Sequence, residues 1–217
     1  EHPLSWYPMN AAKKAKFVDK VYISTDDEKL MQLGRENKIE VIERPAYLCT
    51  KEALGEDAYV HGYKEICIRE GCKPELMVLL FCNAATLLPE MIDEGIRVLR
   101  ENPEYDSAVT VSRYNMWSPL RARKIGDDGL LHPFVPFEAF KSKTLNCDRD
   151  SQGDAWFADV AVSVVRPYNL EHLDEGIPPQ KWMGKKIYPI KNEAGCDVDY
   201  EWMMPQVEWW IKKHWKF

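Results

Sequence analysis

Apolar and polar positions alternate with two different periods along this chain, and the switches between them outline its elements. Apolar residues at helical spacing predict a helix over residues 3–17, followed by a strand at 20–25. A second helix is expected over 26–38, with Asp26 or Asp27 placed to cap it, and a second strand over 39–45, ended by Pro45. Residues 55–71 read as a helix stopped by Gly71, and the apolar run 75–82 as a strand covered on both faces. A helix over 88–102 and a strand over 107–112 complete the first half.

Strand and helix thus alternate, which predicts a mostly parallel, mononucleotide-binding (Rossmann-like) α/β sheet with helices on both faces. The alternation opens on a helix, although a βαβ helix normally returns from an earlier strand. A strand and its phosphate loop, on the order of 20 residues, are therefore expected ahead of Glu1.

After Ser112 the pattern is lost. Residues 113–154 are aromatic, charged and broken by proline, with a turn at 126–129, and read as an arm or hairpin. Such an arm either packs on a second subunit or forms a lid. A buried strand over 155–167, a short helix over 168–176 and a strand over 185–191 follow. Residues 196–217 read as a strand turning into an amphipathic helix. The whole chain, 1–217, is expected to form one domain with the arm as a subregion.

Composition narrows the functions. A net charge of −6 argues against a nucleic-acid or membrane-surface binder, and no apolar run is long enough to span a bilayer. Six cysteines form no CxxC pair, which fits a reduced, cytoplasmic protein. Of these, Cys82 and Cys196 are expected to behave as small hydrophobes in or beside apolar runs.

Asp197 and Asp199 flank Val198, so on a strand both carboxylates share one face. The pair suits Mg²⁺ alongside substrate phosphates, but spacing alone favours a solvated cap for the final helix. Arg44 ends the second strand, where its guanidinium fits either a phosphate or solvent. Asn83, with the small Ala84 and Ala85 behind it, allows a flat base close to the backbone, or caps the next helix. Arg121 and Arg123 alternate and share a face on a strand, as an anion site or as a solvated hairpin. Asp154 and Asp159 are further polar candidates for a cation site, whereas His132 has no evident partner. No arrangement supports a covalent nucleophile.

In their order these segments resemble the cytidylyltransferases that activate sialic acids and related sugar acids as CMP conjugates. The resemblance runs through residues 3–30 with their S-T-D-D, E-R-P-A-Y-L-C-T at 43–50, F-C-N-A-A-T-L at 81–87, K-I-G-D-D-G-L-L at 124–131, A-D-V-A-V-S-V-V at 158–165 and C-D-V-D-Y at 196–200. It implies a homodimer joined through the arm, and attack of an acceptor on the α-phosphorus of CTP with loss of pyrophosphate. It also implies Mg²⁺ on Asp197 and Asp199, a nucleotide site lined by Arg44, Asn83, Ala84 and Ala85, and an acceptor site near Phe81, Arg121, Arg123 and Asp159.

Departures from the family cluster at the acceptor side: Phe81 replaces a glutamine, Leu87 an arginine, Lys51 an aspartate and Asp159 an asparagine. The expected acceptor is thus a small anion: a sugar acid, a phosphonate or a sugar phosphate. Two other readings compete. One is a non-catalytic nucleotide-fold assembly module. The other is a nucleotide-sugar glycosyltransferase using D-V-D as its metal motif.

Overall fold

The computed structural model describes residues 2–140, 146–150 and 153–216. Helix α1 (Trp6–Lys14) leads to strand β1 (Tyr22–Thr25), helix α2 (Glu28–Glu36) and strand β2 (Glu40–Glu43). Helix α3 (Gly55–Glu70), strand β3 (Met77–Leu79), helix α4 (Pro89–Glu101) and strand β4 (Ser107–Arg113) follow. The remaining elements are β5 (Arg123–Ile125), β6 (Leu131–Pro133), β7 (Trp156–Val165), α5 (Pro167–Glu171), β8 (Ile187–Asn192) and α6 (Met204–His214).

Local chemistry sets the boundaries. Asp27 caps α2, its Oδ1 accepting from the Leu30 amide at 2.9 Å, and its own amide donates to Thr25 Oγ1 at 3.1 Å. Gly71 ends α3 at φ +68°, a conformation that favours a residue without Cβ. Pro89 occupies the first turn of α4, where its missing N–H costs nothing.

β1 and β2 form a parallel pair, in register from Tyr22 opposite Glu40 to Thr25 opposite Glu43. The larger sheet has the order β3–β7–β4–β8. β4 and β8 are parallel, whereas β7 runs antiparallel to both β3 and β4. The expected parallel alternation therefore holds for the βα units but not for β7. That strand returns from the arm rather than from a crossover helix, so it is free to enter in the opposite direction. The expected long buried strand at 75–82 shortens to β3, which lies at the edge of its sheet.

Helices cover both faces, as the pattern predicts. Ala108, Val162, Val164 and Ile190 pack with Tyr7 and Ala11 of α1, Ile92 and Ile96 of α4, and Val207 and Trp210 of α6. The neighbouring positions Val109 and Val165, with Met77 and Leu79, face the other way toward Tyr63 of α3 and Leu170 of α5. At Gly95 the α4 backbone presses onto the sheet: a Cβ there would stand 2.6 Å from Val164 Cγ2.

The arm contains a β5–β6 hairpin with Arg123 opposite Pro133. Its turn closes through the Gly126 amide to Leu130 O and the Gly129 amide to Gly126 O, both 2.9 Å. His132, expected to lack a partner, pairs with Asp128 at 2.9 Å. Arg121 lies in a turn before β5, its amide bonded to Ser118 O at 2.8 Å, so it shares no strand face with Arg123. Within the arm, residues 141–145 and 151–152 lie outside the described residues. All six cysteines are free; Cys196 is buried as expected, but Cys82 is exposed because it follows the end of β3 rather than lying within the strand.

Candidate active site

β1 and β2 end together, and their last residues set the first part of the site. The Arg44 amide donates to Thr25 O at 3.0 Å, and Arg44 Nη2 donates to Ser24 O at 2.7 Å. These bonds hold the guanidinium at the carboxyl ends of the parallel pair, where open α/β sheets take their ligands. Arg44 Nε and Ser24 Oγ are both buried and have no partner. Buried polar groups are nearly always satisfied, so both atoms are open to a further hydrogen-bond partner.

Tyr59 of α3 stands beside them. Its ring packs against Phe81, with centroids 5.8 Å apart, and edge-on against Trp182 at 5.3 Å. Burial pushes its hydroxyl well above the usual phenol range; Arg44 pulls it down, while Asp197 and Glu56 push it further up. One side chain thus feels both the arginine after β2 and the aspartate after β8.

Asp197 and Asp199 lie in an extended segment between β8 and α6 that joins no ladder, so the predicted strand is absent there. The segment is held instead by Asn83: the Val198 amide donates to Asn83 O at 3.0 Å, and Asn83 Nδ2 donates to Val198 O at 3.2 Å. The turn leading into it is fastened just as closely. Tyr114 Oη donates to Gly195 O at 2.9 Å, and Gln206 Nε2 donates to Ala194 O at 2.9 Å. Thr86 Oγ1 accepts from the Cys196 amide at 3.0 Å and donates to Cys196 O at 3.2 Å.

Asp197 is half-buried and Asp199 exposed. Burial raises the Asp197 carboxyl above the ordinary range, a bond from its own amide opposes this, and the charge of Asp199 adds to the rise. Burial and the charge of Asp199 both disfavour ionisation of Asp197, and a divalent cation beside such a carboxylate favours its charged form. The helix-cap alternative fails on position. α6 begins at Met204, its first turn holds no acid, and its N-cap makes no side-chain bond. Among the described residues no group of three or more His, Cys, Asp or Glu gathers as a ligand cluster. Mg²⁺ sites commonly take only one or two protein carboxylates beside phosphate and water, so a third ligand of these types is not required for one.

The other predicted residues fall into place unevenly. The Asn83 amide is occupied by Val198 rather than left open for a base. Ala84 and Ala85 are wholly buried in the core, so their methyl groups pack and line no cleft. Phe81 is half-buried and bridges both hydrophobic clusters, and Leu87 lies entirely inside. Asp159 is only 5 % exposed, its carboxylate turned to Ser112 and the Ala161 amide, and it faces no acceptor. Arg121 donates to Cys147 O at 2.9 Å; Arg123 donates to Leu120 O and Ala122 O and stacks on Phe137 at 5.2 Å. Asp154 pairs with Arg113 at 3.4 Å and accepts from Asn115, outside the Asp197–Asp199 site. Sequence reasoning missed Ser24, Tyr59 and the polar residues around Gly195. A serine at a strand's last turn beside a candidate arginine was a usable signal; Tyr59 had none.

No family profile and no curated protein matches this sequence. Solved structures do match in fold. A CMP:2-keto-3-deoxy-manno-octonic acid synthetase complexed with CTP superposes with a TM-score of 0.64 at 13 % identity, over 98 % of this chain and 89 % of that one. A 4-diphosphocytidyl-2C-methyl-D-erythritol synthase gives 0.60 at 12 % identity, over 96 % and 90 %. A cytidylyltransferase from Leptospira borgpetersenii serovar Hardjo-bovis gives 0.50 at 11 %, over 97 % and 82 %. The chain therefore shares the α/β fold of these proteins.

Proposed function

We propose that this chain is a cytidylyltransferase that moves CMP from CTP to a small anionic acceptor and releases pyrophosphate. The observation that carries this reading is that Arg44, with its unpartnered buried Nε, and Asp197 both act on the Tyr59 hydroxyl, so the end of β2 and the segment after β8 meet at one side chain. The fold neighbours named for CTP and cytidylyl chemistry support the choice of nucleotide. Arg44 neutralises phosphate charge through its guanidinium, and Ser24 Oγ offers a second polar contact beside it. Asp197 and Asp199 would hold Mg²⁺, and the ion would supply charge neutralisation on the triphosphate. An acceptor oxygen attacks the α-phosphorus, the bond from that phosphorus to the bridging oxygen breaks, pyrophosphate leaves, and the acceptor's proton passes to solvent. The protein contributes positioning and electrostatics, as phosphoryl transfer generally requires.

The acceptor is a sugar acid, a phosphonate or a sugar phosphate; the half-buried Phe81 argues for one with fewer hydroxyl contacts than a nine-carbon sugar acid offers. The partner of the arm is a second copy of this chain, favoured by Ile125, Leu130, Leu131 and Phe134, all exposed on or beside the hairpin. Six free cysteines favour a reducing, cytoplasmic setting. No described helix is long and apolar enough to cross a membrane.

Pyrophosphate release with Mg²⁺, CTP and a panel of the three acceptor classes tests the activity. Asp197→Asn and Asp199→Asn should each lose most turnover, by about 10²-fold or more, while retaining the fold. Full activity in either removes the metal assignment. Absence of Mg²⁺-linked CTP binding by titration calorimetry would identify a non-catalytic assembly module instead.

A further inference from the structure

Strand β7 leaves its ladder beside the site. Val109 pairs with Ser163 and Val111 with Ala158, so Thr110 alone stands opposite Asp159, Val160, Ala161 and Val162. Bulges of this kind re-aim side chains, often next to active sites. Val160 takes φ +51°, which a β-branched residue adopts only under constraint. Thr110 Oγ1 repairs part of the ladder by accepting from the Val162 amide at 2.9 Å.

The bulge turns Asp159 inward, beneath the turn that precedes Asp197. Asp159 Oδ1 accepts from the Ala161 amide at 3.2 Å, and Oδ2 accepts from the Ser112 hydroxyl at 2.6 Å. Ser112 Oγ in turn accepts from the Gly195 amide at 2.8 Å. The fit leaves no space: a Cβ on Gly195 would run into the Asp159 carboxylate and the Asn192 side-chain amide. Next to it, Ala194 takes φ +52°. A buried carboxylate, a strained valine and a strained alanine therefore converge on one short turn. An apolar filler would satisfy packing at lower cost, so the arrangement points to a requirement beyond stability.

We propose that Asp159 is a positioning residue. Through Ser112 it fixes the backbone of the turn at 194–196, and so sets the separation and direction of the Asp197–Asp199 carboxylates for a divalent cation. The proposal rests on the metal reading of that pair given above. It replaces the expectation that Asp159 contacts the acceptor, because the carboxylate already engages Ser112 and the Ala161 amide inside the protein.

Mn²⁺ titration followed by electron paramagnetic resonance reads the site without turnover. Asp159→Asn and Ser112→Ala should each weaken Mn²⁺ binding by about tenfold, the usual effect of removing a residue that orients metal ligands. The double variant should be no worse than the stronger single one, because both act through the same turn. Asp197→Asn should abolish binding. Gly95→Ala, which overpacks α4 against Val164 and Ile190 and touches neither Asp159 nor Ser112, serves as the control and should leave Mn²⁺ affinity unchanged.

Unchanged Mn²⁺ affinity in Asp159→Asn and Ser112→Ala, with loss in Asp197→Asn, overturns the positioning role and leaves the metal reading standing. Equal weakening in Gly95→Ala overturns it as well, by showing a mere effect of stability. Intact binding in Asp197→Asn defeats the metal reading itself. If Asp159→Asn does not fold, Ser112→Ala, which removes only a hydroxyl, decides the question alone.

Discussion

At Asp197, burial and a neighbouring like charge act in the same direction. The groups whose charges couple to it are Asp199 and Cys196 on its own segment and Tyr59 on α3, which also feels Arg44. The folded carboxyl is held above its ordinary value, so the folded state binds a proton more tightly than the unfolded chain does. Its contribution to stability is therefore fully present below the ordinary carboxylate pKa and is lost as pH rises through the raised one. Two measurements follow from that sign. Divalent-cation affinity should fall as pH drops, with a midpoint above 3.8, the ordinary value for an aspartate, as read by Mn²⁺ titration across pH. Conversely, Asp197→Asn should raise the melting temperature of the metal-free protein at pH 7 by about 2 °C, because it removes a disfavoured charge. An unchanged or lower melting temperature counts against burial and repulsion disfavouring the Asp197 charge.

On the scale of elements, close backbone approach matters more than helix propensity. α4 is amphipathic and its buried residues Ile92, Ile96 and Leu99 seat it on the sheet, but Gly95 lets the helix approach closely. Gly95→Ala gains helix propensity yet places a Cβ 2.6 Å from Val164 Cγ2 and 3.1 Å from Ile190 Cδ1. Both neighbours are interior and cannot swing aside, so overpacking should win by about 1–3 kcal/mol. Thermal unfolding should show a melting temperature lowered by roughly 2–4 °C for each of those kilocalories. A gain in stability would mean that α4 shifts more easily than its packing implies.

For the whole molecule, the proposed partner of the arm is a second copy of this chain. Ile125, Leu130 and Leu131 are more than 60 % exposed, as are Trp117 and Phe134. Their exposure in one chain and the hairpin that presents them fit an interface between copies. Sedimentation should give a dimer, and Leu131→Asp should shift it to monomer at micromolar concentration, since a charge buried in an apolar interface is poorly tolerated. A wild-type monomer at high concentration would refute the arm's assigned partner.

Periodicity alone defined most of the elements here: α1 to α4 with the strands between them, the turn at 126–129, and the terminal helix. Those features depend on local spacing, caps and glycine stops, which are written in consecutive residues. It also singled out Asp197, Asp199 and Arg44, because unusual charge at an element's end is visible without tertiary knowledge. The reversal of β7 was not legible, since its direction depends on how a long arm returns to the sheet. Nor was the burial of Asp159, Ala84 and Ala85, or the part played by Ser24, Tyr59 and Gly195. Each of those is fixed by a partner distant in sequence: Ser112 is 47 residues from Asp159 and 83 from Gly195. Only the folded chain brings such residues within hydrogen-bond range.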